Sequence, residues 1–143
     1  MMLTPTNSQG YAAELMVCAD LCKQGYVAYL PASGLRYDVV VDVSGRLLKI
    51  QVKSTGQQRS PSGTHKATYV FRLQGRRKIS PHEVDVVALV AVDIGVIAYL
   101  PPSECIKNKL QLKPPGSAIN SKSKKFYNID QLPFSKLLEE LTI

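Results

Sequence analysis

The stretch RYDVVVDVSGRLLKIQVKST, residues 36–55, alternates apolar and polar side chains along two runs that meet at Ser44-Gly45. Such alternation is typical of β-strands that turn one face to the core. Ser-Gly favours a two-residue turn, because glycine tolerates the positive φ that such turns need. The stretch therefore predicts a β-hairpin in which Val43 pairs with Arg46.

The predicted register sorts the hairpin side chains onto two faces. One face is apolar and consists of Val39, Val41, Val43, Leu48, Ile50 and Val52. The other carries Asp38, Val40, Asp42, Lys49, Gln51 and Lys53. Asp38 then lies opposite Gln51, with β-carbons about 5 Å apart, and Lys53 is the diagonal neighbour. This polar face is either an ordinary solvated surface or part of a site.

The composition is that of an ordinary globular protein, with 143 residues and 45% hydrophobic residues. We expect one domain over residues 1–143 and a real core. The N-terminus has no basic region followed by an apolar run, and the longest apolar stretch is interrupted by Asp85, Asp93 and Gly95. These features predict a cytoplasmic protein without a membrane span. The three cysteines are too few for a zinc site and are expected to be reduced.

The formal net charge is +7, and its distribution is uneven. There is no Asp or Glu between Val43 and His82, nor between Cys105 and Ile129, and residues 107–125 form a basic segment rich in Pro, Ser and Lys. Basic surfaces of this kind attract polyanions, most plausibly nucleic acid. The alternative is a basic face that only confers solubility.

The remaining patterns predict a mixed α/β fold. A helix is predicted over residues 8–24, capped by Asn7 or Ser8, with an apolar stripe of Tyr11, Leu15, Cys18, Leu21 and Cys22. Strands are predicted at residues 26–30, 68–73, 84–92 and 96–100, and small helices after Pro102 and at residues 134–141. The predicted architecture is an N-terminal helix, a predominantly antiparallel sheet that contains the 36–53 hairpin, and small C-terminal helices that cover it, which is α+β or mixed α/β.

Glu14 lies beside the predicted apolar stripe of the first helix, where a carboxylate is costly unless something pairs with it. It either reaches solvent or a basic side chain at the edge of the stripe, or it helps to bind a divalent cation beside Asp38. Mg²⁺ (or Mn²⁺) prefers oxygen ligands, which Glu14, Asp38, the Gln51 side chain and the Val52 carbonyl could supply. Lys53 would then lie near the attacking water, an arrangement that suits phosphodiester hydrolysis.

The pattern Glu14, Arg36-Tyr37-Asp38 and Gln51-Val52-Lys53 resembles the signature of the PD-(D/E)xK nuclease superfamily. Together with GYVAYLP, LLKIQVKST, VDVVALV and GVIAYLPP, the resemblance spans about residues 9–102. It is closest to the branch that contains a group I intron-encoded homing endonuclease, in which Gln replaces the usual acid. Two departures are Tyr37 where many members have Pro, and the neutral Gln51, which removes one charge from the metal site.

The resemblance implies a restriction-endonuclease-like core with a central mixed sheet that contains the 36–53 hairpin. It also implies metal-associated Glu14, Asp38 and Gln51, and a catalytic Lys53. It further implies a sequence-specific endonuclease that cuts double-stranded DNA, and a homo-oligomer, either a dimer or a tetramer. An oligomer is also expected because one site per chain cannot easily cut two antiparallel strands at once. The side chains expected to follow the DNA backbone are Arg59, Lys66, Arg76, Arg77 and Lys78.

Three alternatives stay open at this point. The first is a junction-resolving, repair or restriction nuclease with the same site and a differently shaped DNA substrate. The second is a non-catalytic DNA-binding module with a decayed site, because Gln51 weakens the carboxylate set. The third is a non-catalytic interaction protein.

Overall fold

Two α-helices and seven strands make up the part of the chain that the computed structural model describes, which is residues 2–59, 67–75, 78–118 and 127–141. The elements in chain order are α1 (Pro5–Lys23), β1 (Val27–Tyr29), β2 (Val39–Val43), β3 (Arg46–Thr55), β4 (Tyr69–Arg72), β5 (Val86–Ala91), β6 (Val96–Leu100), β7 (Lys109–Leu112) and α2 (Phe134–Glu140). Short 3-10 helices span Pro102–Cys105 and Ile129–Gln131.

The hairpin forms with the predicted turn and register. The ladder of β2 and β3 runs from Val43–Arg46 at the turn to Val39–Ile50 at the far end. Ser44 and Gly45 have φ values of +52° and +88°, the backbone of a type I′ turn, whose twist matches that of the strands. The side chain of Asp42 accepts a hydrogen bond from the Gly45 N–H at 2.8 Å, which helps to stabilise the positive φ of Ser44.

The central sheet is mixed, as predicted, with the strand order β1-β2-β3-β5-β6. The β3–β5 pair is parallel, and the other neighbouring pairs are antiparallel. Both helices pack on one face of this sheet, in a core that includes Val17, Ile50 and Phe134. The small sheet of β4 and β7 packs on the other face, in a second core that includes Phe71 and Leu89. All six residues of β5 are buried because both of its faces are covered.

The first helix begins three residues earlier than predicted. Thr4 is its N-cap and accepts a hydrogen bond from the Asn7 N–H at 3.2 Å, and Pro5 occupies the first turn, where a missing N–H costs nothing. The prediction that Asn7 or Ser8 caps the helix is therefore wrong, because Thr4-Pro5 is an equally favourable start.

The predicted apolar stripe of α1 is also largely wrong. The helix buries Ala13, Val17 and Leu21 against the sheet, while Tyr11 and Leu15 are 48% and 44% exposed. Both sets of residues satisfy helical spacing, so periodicity alone could not choose between them. The small side chain at position 13 and the branched one at position 17 allow close approach of the helix to the sheet.

Strand β7 falls within the segment that the sequence characterised only as rich in Pro, Ser and Lys. Its residues Lys109-Leu110-Gln111-Leu112 do alternate, and they pair with β4 in antiparallel register. Residues 119–125 of the segment lie outside the described residues. This short strand, which covers the second core, was not predicted because the surrounding lysines gave the segment the composition of a loop.

The three cysteines are free thiols, as predicted, although they are not all in the core. Cys105 is buried, and its burial raises the pKa of the thiol to about 12. Cys22 is exposed on α1. Within the described residues, no helix is long and apolar enough to cross a membrane.

Candidate active site

The predicted site lies where strands β2 and β3 part. Strand β2 begins at Val39, whereas β3 continues five residues beyond Ile50, the partner of Val39. Asp38, just before β2, donates its backbone N–H to the Ile50 carbonyl at 2.8 Å. Its Oδ2 accepts the Val52 N–H at 2.9 Å. Asp38 thus extends the ladder by one step, with its side chain in place of a backbone carbonyl.

This contact sets the orientation of several groups around Val52. In an extended strand the N–H and C=O of one residue point to the same side, so the Val52 carbonyl points to the side from which Asp38 approaches. The Gln51 and Lys53 side chains lie on the sheet face opposite to that of the Val52 side chain. The predicted pair of Asp38 with Gln51 would follow Val39–Ile50, which is the last pair of the ladder. The Asp38 carboxylate bonds to Val52, the residue between Gln51 and Lys53.

Gln51 is buried, with only 2% of its surface exposed. Its neighbour on β5 is Val87 and that of Lys53 is Leu89, both fully buried in the second core. The interpretation of this face as an ordinary solvated surface is therefore wrong for Gln51, whereas it is correct for Lys49, which is exposed. A carboxylate at position 51 would have to lose its hydration, whereas a neutral amide carries a much smaller desolvation cost.

Glu14 is half-buried on α1, beside the buried face of that helix. The pKa of the Cys18 thiol, one turn further on, is raised by its burial first and then by the charges of Cys22 and Glu14. Helix α1 is joined to β3 because Gln9 Nε2 donates to Ser54 Oγ at 3.2 Å. Glu14 follows Gln9 by five residues, which is about 7.5 Å along the helix axis. Glu14 thus belongs to a helix that packs on the Val52 face of β3, whereas the Gln51 and Lys53 side chains lie on the opposite face.

The donor set offers only oxygen atoms, namely two carboxylates, the amide oxygen of Gln51 and the carbonyl of Val52. Hard divalent cations bind such ligands and retain several waters. Among the described residues there is no cluster of three or more His, Cys, Asp or Glu side chains that could hold a metal. The chemistry of the donors fits Mg²⁺ or Mn²⁺, with the remaining ligands coming from water and a substrate phosphate.

Asp85 is a residue whose structural role the sequence did not reveal. Its Oδ2 accepts the Lys49 N–H at 2.8 Å, and its own N–H donates to the Lys49 carbonyl at 2.8 Å. Asp85 thus bonds to the backbone of β3 on the side of β5, through its side chain and its own N–H, as Asp38 does on the side of β2. Both residues begin an Asp-Val-Val sequence, which is the signal that could have related them. A hydrogen bond to β3 therefore does not by itself identify a catalytic aspartate.

Two of the five predicted DNA-contacting side chains lie within the described residues. Arg59 is exposed and forms an isolated bridge with Thr68, with N–H to O distances of 2.8 and 2.9 Å. Lys78 is exposed and is bridged to Gln74. Lys66, Arg76 and Arg77 lie outside the described residues.

Comparisons with known proteins identify a family and a similar solved structure. A family model of PD-(D/E)XK endonucleases matches residues 4–131. The structure of a bacterial homing endonuclease, I-Ssp6803I, is similar to this chain with a TM-score of 0.67 and 23% sequence identity, over 82% of each chain. At this identity the likeness concerns the fold. No curated protein matches the sequence.

Proposed function

The chain belongs to the PD-(D/E)XK endonuclease family, and from this premise we propose that it is a metal-dependent endonuclease that cuts double-stranded DNA at a specific site, as homing enzymes do. The observation that carries the proposal is the combination of the Asp38 carboxylate, bonded to the Val52 N–H, with the amide of Gln51 and the amine of Lys53 on the two residues that flank Val52. Asp85 lacks such a setting, because the residues that flank its partner Lys49 are the apolar Leu48 and Ile50. The similarity of the fold of this chain to that of a bacterial homing endonuclease supports the proposal of a homing-type enzyme.

In the proposed mechanism Glu14, Asp38, the Gln51 amide oxygen and the Val52 carbonyl would hold Mg²⁺ or Mn²⁺. A bound cation of this kind supplies a more acidic water and neutralises charge on the phosphate. The Val52 N–H fixes the Asp38 carboxylate before substrate arrives. Lys53, on the same face as Gln51, donates hydrogen bonds to the phosphate oxygens as their charge increases, or orients the attacking water.

Duplex DNA as the substrate is supported by charge. The chain has a net charge of +7, and fifteen of its eighteen basic residues fall in the two windows without acids. We propose that Arg59 and Lys78, with Lys66, Arg76 and Arg77, contact DNA phosphates, which gives affinity and register without reading sequence. A DNA substrate and three free thiols are consistent with a cytoplasmic protein.

We further propose that residues 1–143 act as one nuclease domain and that the active form is a homo-oligomer. Two antiparallel strands present two scissile phosphates related by a two-fold axis, and a symmetric dimer or tetramer would present two matching sites. This part of the proposal rests on the geometry of the substrate.

One alternative is favoured by a specific observation. Gln51 leaves two carboxylates, so a DNA-binding module without catalysis is the second candidate. A junction-resolving, repair or restriction nuclease would share the site, and it would be distinguished by the shape of the DNA that it cuts.

The test is nicking of supercoiled plasmid DNA, and of duplexes and four-way junctions, with and without Mg²⁺. Lys53→Ala should lose cleavage and keep DNA binding. Lys49→Ala is the matched control, since it removes a lysine from the same strand and face. Cleavage by Lys53→Ala at the parental rate would show that the site is wrong. A parent that binds DNA but cuts none of these substrates would support the DNA-binding module.

A further inference from the structure

A cavity of about 380 Å³ lies beside the chain segments that enter β2 and β5. It is lined by Arg36, Gly75, Lys78, Ser80 and Glu83. Arg36 Nε and Glu83 Oε2 form an ion pair at 3.2 Å, with side chains 59% and 45% exposed. The cavity therefore combines two cations, one hydroxyl and one carboxylate, and is open to solvent on the side of the ion pair.

The walls of this cavity are held in place by the second core. Gln74 and Lys78 form an isolated antiparallel bridge, and the Ser80 carbonyl accepts the N–H groups of Glu83 and Val84 in a turn. Ile79 and Val84, which flank this turn, are 5% and 4% exposed and pack in the second core. The backbone at Ser80 and Glu83 is therefore anchored to the core on both sides.

The cavity is close to the candidate active site. Arg36 precedes Asp38 by two residues, so at most about 7 Å of chain separates their Cα atoms. Glu83 likewise precedes Asp85 by two residues. Asp38 bonds to Ile50 and Val52, and Asp85 bonds to Lys49, so the Arg36–Glu83 ion pair joins the two segments that flank this part of β3.

An exposed ion pair contributes little to stability, so another anion can replace the carboxylate at low cost. Phosphate is a strong partner for arginine, because the guanidinium can donate two parallel hydrogen bonds to it. Lys78 and Ser80 supply further donors on the cavity wall. Glu83 is the first acid after the acid-free window that ends at His82. It occupies the position at Arg36 that a phosphate would take.

We propose that this cavity is a subsite for a DNA backbone phosphate adjacent to the one that is cut, and that Glu83 holds Arg36 in place until that phosphate displaces it. The inference rests on the proposed function and adds Arg36, Ser80 and Glu83 to the DNA-binding surface. Glu83 thereby weakens binding to any polyanion that does not reach Arg36.

The test measures binding of several unrelated duplexes by fluorescence anisotropy in EDTA, over a range of NaCl concentrations. Arg36→Gln and Lys78→Gln should each weaken binding uniformly across sequences and reduce the slope of log K against log salt by about one. Glu83→Gln should tighten binding about two- to fivefold, the factor expected from removal of an exposed ion pair. That gain should vanish in the Arg36→Gln background. Lys23→Gln, on the helix side of the sheet, is the control and should leave the slope unchanged.

Three outcomes would overturn the inference while leaving the proposed function intact, provided that the parent binds and cuts DNA. The first is a parental salt slope in both Arg36→Gln and Lys78→Gln. The second is weaker binding by Glu83→Gln. The third is a loss in Arg36→Gln confined to one base pair, which would identify a base-reading residue. A parent that neither binds nor cuts duplex DNA would refute the proposed function, and the inference with it.

Discussion

Asp38→Asn and Asp85→Asn form a matched pair of substitutions that separates a chemical from a structural role. Each aspartate accepts one backbone N–H of β3 through Oδ2, at 2.9 Å for Asp38 and 2.8 Å for Asp85, and each donates its own N–H to a β3 carbonyl at 2.8 Å. Asparagine has nearly the same shape and retains one acceptor oxygen. The substitution therefore removes a charge and preserves the hydrogen-bond pattern.

The expected effect on stability is small and similar for the two variants. A neutral acceptor forms a hydrogen bond about half as strong as a charged one, so each variant should lose about 1 kcal/mol of unfolding free energy. For a chain of 143 residues this corresponds to a decrease of about 2–4 °C in Tm. The effect on cleavage should differ, because Asp38 would lose a cation ligand. We expect a loss of at least about 100-fold for Asp38→Asn and less than about twofold for Asp85→Asn.

The assay combines thermal unfolding with Mg²⁺-dependent cleavage of plasmid DNA, measured on the same preparations. The reasoning would be refuted if both variants lost cleavage equally with similar Tm values, since support of β3 would then explain the loss. It would also be refuted if Asp38→Asn cut DNA at the parental rate.

Four further predictions concern the site and the surface. Glu14→Gln should reduce cleavage severely with little change in Tm, and a near-parental rate would favour an edge-of-stripe role for Glu14. Gln51→Glu adds a carboxylate whose pKa burial should raise. A folded-state pKa that is raised above the unfolded value of about 4.3 removes stability as the pH rises above that value. The decrease in Tm of Gln51→Glu in EDTA should therefore be larger at pH 8 than at pH 5, and Mg²⁺ should make it smaller. An equal decrease at both pH values would contradict burial of the charge. Alkylation at pH 8 should modify the exposed Cys22 well before Cys105, whose pKa is raised to about 12 by burial, as peptide mass spectrometry can show. Light scattering of the DNA-bound state, after the mass of the duplex is subtracted, should give a protein mass of at least twice the 15.7 kDa of one chain, and a monomer on cleaved duplex would contradict the oligomer.

The hairpin part of the candidate site could be predicted from sequence because it is local. A two-residue turn fixes every pair from Val43–Arg46 to Val39–Ile50, so spacing alone predicted that Asp38 meets β3 near Gln51 and Lys53, and the Asp38 carboxylate does bond to the Val52 N–H. Glu14 was harder to place, since its position depends on how α1 lies against β3. The Gln9–Ser54 contact that fixes this helix joins residues 45 positions apart, and nothing in either local sequence predicts it.

By itself the sequence determined the hairpin, its two-residue turn, its register and the charge asymmetry. These follow from local backbone preferences, from side-chain alternation and from counting. Only the tertiary structure decided which stripe of α1 is buried, because Tyr11-Leu15 and Ala13-Val17 are equally compatible with a helix and the hydrophobic effect has no direction of its own. It also decided that Gln51 is buried, since β4 and β7 come from distant segments to cover that face. The pairing of Arg36 with Glu83 likewise exists only because two segments separated by 47 positions meet beside β3.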